Sequence, residues 1–221
     1  MRLRSIAIIL MLLALVGGVM AQGSYYPQQI GTGKTVKSYG GTNYVMVPAL
    51  QVIPAAESSD DDQLFAATTG HCNQSTNILK ITFLAQPDVP RNLIATFNAS
   101  TSGSIKITGT DISGAAITEN LTISSASSAA STKAFKTVTL INADLTTGET
   151  NKTLKMGTGN LMAINEKLGS YDQVCDTYVN GVIESTAAAV TKNSTVLSLN
   201  TVDTASAPGG YVTLVYYMLK G

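Results

Sequence analysis

Short apolar runs recur between clusters of Gly, Pro, Asn, Asp and Ser, at residues 78–84, 92–97, 104–108, 117–123, 134–141, 153–156, 173–183, 195–202 and 211–219. Runs of this length, closed by turn residues, predict antiparallel strands rather than helices. The clearest is 117–123, where Ile117, Leu121 and Ile123 alternate with Thr118, Asn120 and Thr122. A period of two puts the apolar set on one face and turns Asn120 outward. Residues 105–123 predict a hairpin whose loop holds Ser113 and Gly114. A strand over 45–53 is closed by Pro54, Asp60 to Asp62 fall in a loop, and the Ser/Ala-rich stretch 124–131 reads as an exposed bridge. Residues 160–168 offer at most a short helical turn. The run 211–219 is apolar on both faces except at Thr213, which predicts a strand covered on both sides.

These elements predict an all-β chain, an antiparallel β-sandwich of immunoglobulin-like or jelly-roll-like kind, in two β lobes over 48–156 and 157–221. Composition agrees. Ser and Thr number 48 of 221 residues and only 13% are charged, so strand and turn formers outweigh helix formers. Fourteen basic residues balance 14 acidic ones, which leaves no electrostatic footprint for nucleic acid.

The first 21 residues read as a secretory leader. Arg2 and Arg4 are followed by an apolar stretch over 6–16, and Val19, Met20 and Ala21 form a small-residue cleavage site that leaves Gln22 first. The apolar stretch is shorter than the roughly 20 residues a spanning helix needs. The mature chain is therefore expected outside the cell without a membrane span. Residues 22–47 follow as a Gly/Tyr-rich arm.

Export sets the meaning of the two cysteines. In an oxidising compartment Cys72 and Cys175 read most simply as one disulfide, the alternative being two buried thiols. A bridge closing a loop of about 100 residues is worth up to about 4.7 kcal/mol in the chain-entropy picture. Five N-x-[ST] acceptors, Asn73, Asn98, Asn120, Asn151 and Asn193, are glycosylation candidates.

Catalytic chemistry finds little to work with. Gly33, Lys34 and Thr35 match the end of a phosphate loop, but Gln28 stands where the first glycine is required. The single histidine, His71, adjoins Cys72, and neighbours on a strand face opposite ways. Asp60, Asp61 and Asp62 lack the alternating spacing of a calcium loop, and Glu119, Glu149, Glu166 and Glu184 are scattered. No enzyme, cofactor or metal is expected. All nine tyrosines lie at 25–44 or 171–217. Tyrosine gives large contact area with few rotors, so Tyr25, Tyr26, Tyr39, Tyr44, Tyr211, Tyr216 and Tyr217 are candidates for subunit contacts.

Several short motifs occur in a fixed order: Pro90-Arg91-Asn92-Leu93, then 105–111, 114–119 and 133–138, then 156–160, 167–169, Asn200-Thr201-Val202-Asp203 and Val215-Tyr216-Tyr217. Over roughly residues 80–219 this order resembles a β-rich structural module of tailed-bacteriophage virions, of head-fibre or decoration type. The resemblance implies a non-enzymatic role in repetitive assembly. Virion proteins carry no export leader, so the role here is similar in concept to archaeal surface-layer or sheath subunits. The expected function is an exported subunit that self-assembles into a sheath, surface layer or filament, its partner being itself. The other readings are a surface adhesin or carbohydrate-binding module, with glycans as partners, and a virion structural protein.

Overall fold

The computed structural model describes residues 36–37, 43–44, 46–69, 85–146 and 152–220. The strands are β1 (Val36–Lys37), β2 (Asn43–Tyr44), β3 (Met46–Ala56), β4 (Asp60–Thr69), β5 (Arg91–Thr110), β6 (Ala116–Ala130), β7 (Thr137–Leu145), β8 (Thr153–Ala163), β9 (Gln173–Val179), β10 (Val182–Ile183), β11 (Ala189–Thr191), β12 (Thr201–Asp203) and β13 (Tyr211–Lys220). The one helical element among the described residues is a 3₁₀ turn at Leu197–Leu199. The fold is all-β and antiparallel, as the sequence predicts, with a seven-stranded and a four-stranded sheet. No described helix is long and apolar enough to cross a membrane.

The chain divides into two compact units. One comprises residues 1–48 and 219–221, and within it β1 pairs with β2 through Val36 opposite Tyr44 and Lys37 opposite Asn43. The other comprises residues 49–218 and holds the two large sheets. The division expected at 156/157 falls inside β8, whose ladder with β5 runs unbroken from Leu93 opposite Thr158 to Phe97 opposite Leu154. A lobe boundary there would cut a continuous strand and its hydrogen bonds.

The seven-stranded sheet is organised by β5, expected as two strands and found as one of 20 residues. Its first half pairs with β8 and its second half with β7, while β6 follows it on the opposite side. The change of partner coincides with register shifts at Thr96, Thr101 and Gly103, and bulges of this kind bend a strand. Gly103 has φ of +145°, and a Cβ there would stand 2.4 Å from the Asp144 carbonyl oxygen. Glycine thus lets β7 come close where the sheet turns. The sheet curls over one core drawn from β4 to β8, including Leu93, Phe97, Ile105, Ile107, Phe135, Ile141 and Met156.

Other differences have local causes. β3 continues through Pro54 because it is an edge strand, where a missing N–H can face away from the ladder. Asp60 to Asp62 open β4 instead of forming a loop. The stretch 124–130 is strand, with Ala126 and Ala129 packed against the core in place of larger side chains. Residues 173–183 form a hairpin, since Asn180 and Gly181 both take positive φ, 54° and 74°, as a two-residue turn requires. No helical turn forms over 160–168, and β8 instead extends to Ala163.

Candidate functional site

The four-stranded sheet, ordered β10-β9-β13-β3, has two unlike faces. On its inner face Thr213, Val215 and Tyr217 of β13 are buried, as are Thr177 and Val179 of β9, which stand opposite Val215 and Thr213. Gln51 and Ile53 of β3 are buried as well. Polar bonds pin this face. The Gln51 amide donates to the Ala163 carbonyl at 2.9 Å and accepts from the Asn165 N–H at 3.0 Å. The Tyr217 hydroxyl donates to Asn165 Oδ1 at 2.7 Å. Burial first, and the Glu166 carboxylate second, push the Tyr217 pKa up to about 12.

Strand alternation turns the next residues the other way. Leu50 and Val52 of β3, 48% and 58% exposed, lie opposite Gln51 and Ile53. Ile183 of β10, opposite Tyr178, is 52% exposed, and Val212 of β13 is 45% exposed. Leu214 and Tyr216 complete the face, and Tyr216 meets Tyr178 edge to face with ring centroids 5.5 Å apart. Seven of the nine exposed large apolar residues among those described lie on strands of this sheet, and four of them, Leu50, Val52, Ile183 and Val212, share its outer face. A contiguous exposed apolar face of this kind marks an interaction surface more often than scattered single residues do.

The candidate residues from the sequence distribute unevenly around this face. Tyr216 lies on it, Tyr211 is exposed at the start of β13, and Tyr217 is spent on the inner face, where at 2% exposure it has no surface to offer a partner. Tyr44 lies in β2, and Tyr25, Tyr26 and Tyr39 fall outside the described residues. Cys175 is exposed on β9, its thiol pKa raised by burial and by Asp176. Cys72, His71, the glycine-rich stretch 31–35, Asn73 and Asn151 fall outside the described residues.

Of the remaining glycan candidates, Asn98 and Asn120 are exposed, and Asn120 stands on the outward face of β6. Asn193 is half-buried, and its Oδ1 accepts from the Thr195 and Val196 N–H groups at 3.0 and 2.7 Å. Asp60, Asp61 and Asp62 bring their carboxylates within 4.8 Å of one another, and Asp61 pairs with Lys155. Hydrogen bonds from Asp62 hold the Asp60 carboxyl below its usual range, while sharing with Asp60 raises that of Asp62.

Two buried polar groups that the sequence did not single out for a role hold the frame. Arg91, fully buried, donates from Nε to the Gly159 carbonyl at 2.6 Å and from Nη1 to the Glu57 carbonyl at 2.9 Å and to Asp88 at 3.1 Å. Asn200 accepts from the Leu168 and Asn193 N–H groups and donates to the carbonyls of Asn193, Val196 and Leu197. Both belong to the short motifs quoted above. No protein-family model matches the chain, and neither any curated protein nor any solved structure matches it.

Proposed function

We propose that this chain is an exported, non-enzymatic structural subunit that self-assembles into an extracellular sheath, surface layer or filament. The observation that carries the reading is the bare outer face of the four-stranded sheet, formed by Leu50, Val52, Ile183, Val212 and Leu214 around the Tyr178 and Tyr216 pair. Leaving several large apolar side chains in water on one face costs free energy that a second surface recovers, at roughly 25 cal/mol per Å² covered. The Gly/Tyr-rich arm over 22–47 of a neighbouring copy has the composition to cover it, since tyrosine combines an apolar body with a polar tip. Few charges on the chain keep the desolvation cost of close packing low.

In this reading the leader over 1–21 is removed, Cys72 and Cys175 close a disulfide in the oxidising exterior, and exposed Asn98 and Asn120 accept glycans where the host supplies them. Electron microscopy of purified chain 22–221 beside chain 48–221 tests it. Ordered polymers from the longer chain and none from the shorter are expected, whereas polymers of identical form from both would remove the arm from the account.

A further inference from the structure

A strand that ends a sheet leaves every second residue's N–H and C=O unpaired, and folded proteins usually blunt such edges. Most of the edges here are blunted. On β7 the side chain of Gln86 accepts from the Val138 N–H at 2.7 Å and donates to its carbonyl at 3.1 Å, taking the place of another strand. β3 carries Pro48 and Pro54, β4 opens on three aspartates, and β10 and β11 are two and three residues long.

β6 differs from all of these. It is 15 residues long, and among the described residues its only strand partner is β5. From Asn120 to Ala130 it has no charge, no proline and no glycine.

The phase of its ladder is fixed. The Asp111 N–H donates to the Ala115 carbonyl at 2.9 Å, and the register continues without a shift from Thr110 opposite Ala116 to Gly103 opposite Ile123. Odd-numbered residues of β6 therefore bond β5, and Thr118, Asn120, Thr122 and Ser124 turn their backbone groups outward. The Lys133 ammonium donates to the Thr118 carbonyl at 2.6 Å, which agrees with that phase and closes the upstream end. Downstream, Ser125 has φ of +49° and its N–H is taken by the Ser102 hydroxyl. The open stretch is thus Asn120 to Ser124, centred on Thr122.

We infer that this edge pairs antiparallel with the same edge of a second copy, Thr122 opposite Thr122, making one continuous sheet across a twofold axis. The occupant follows from the stretch itself. Outward groups at 120, 122 and 124 meet those at 124, 122 and 120 of a second copy, so each donor finds an acceptor. Without charge from 120 to 130, the strand meets itself with no like-charge repulsion. The contact deepens the self-assembly proposed above and rests on it. It supplies a closed pair, while the arm supplies the contact that propagates.

Sedimentation velocity on unglycosylated chain 22–221 tests the pairing, using Thr122→Lys, Thr122→Glu, their equimolar mixture and Thr122→Pro. The N–H of residue 122 points away from β5, so proline there leaves the internal ladder intact. Each variant alone is expected to dissociate the pair roughly tenfold more readily with unchanged circular dichroism, and the Lys/Glu mixture to restore it. Association of all variants equal to that of the native chain overturns the pairing and leaves the proposed assembly standing. Native dimers that never polymerise, and that the lysine variant dissolves, uphold the pairing and overturn the proposed assembly. Monomers alone in the native chain overturn both.

Discussion

The curled seven-stranded sheet and the outer face of the four-stranded sheet use apolar residues in opposite ways. The first wraps β4 to β8 around a closed core and spends Arg91 and Asn200 on fixing the surrounding backbone. The second pins its inner face with Gln51 and Tyr217 and leaves Leu50, Val52, Ile183 and Val212 in water. The chain that buries its large side chains so fully on one sheet leaves others in water on the second sheet, four of them on its outer face. Side chains of the first kind carry stability, and those of the second are the ones proposed to carry contact.

Substitutions separate the two. The largest loss of stability is expected from Arg91→Ala, which empties the space of a fully buried side chain, breaks its pair with the exposed Asp88 and leaves the Glu57 and Gly159 carbonyls without their donor. A cost of about 3–5 kcal/mol, read by urea unfolding, is expected. Ile107→Ala, in the closed core, should cost about 2–5 kcal/mol in the same assay.

Tyr217→Phe sits between the two classes. Loss of the bond to Asn165 should cost about 1 kcal/mol near neutral pH. Because the folded-state pKa is raised to about 12, the native chain loses stability as pH rises from 10 through 12. The phenylalanine variant lacks that loss, so the two unfolding curves should converge in alkali.

Asp203→Asn is expected to act more weakly and with the opposite sign. Burial, and then Glu184, raise the Asp203 pKa above its ordinary 3.8, so the native chain loses stability as pH rises through the interval above that value. The asparagine variant should be slightly more stable at neutral pH, by less than about 1 kcal/mol for a group only partly buried, with no advantage below pH 3.8. Smallest of all, Leu50→Ser should change stability by about 0.5 kcal/mol or less while weakening assembly.

The all-β class and the hairpin over 105–123 were legible because alternation and a Gly-containing loop coincide there. The Asn180-Gly181 turn carried a strong local signal, yet the apolar residues on either side hid it within one run. β6 beyond Ile123 was hidden because alanine, too small to mark a face by hydropathy, does the packing. Arg91 was hidden for the opposite reason, as a charged residue reads as exposed until its partners, more than 30 residues away in Glu57 and Gly159, are brought to it. In the bare face, Tyr216 lay in a segment already marked as a candidate for subunit contacts. Leu50 and Val52 did not stand out, because residues 45–53 are apolar at both parities and only the folded register shows which set Gln51 accompanies inward.

The central claim, that the bare face receives a neighbouring copy, is tested most directly by sedimentation velocity of chain 22–221 carrying Leu50→Lys and Val52→Lys beside the native chain. Large, concentration-dependent species are expected for the native chain and none larger than the β6-paired dimer for the variant, with equal unfolding midpoints. Polymers of the same size distribution from both chains would contradict that claim.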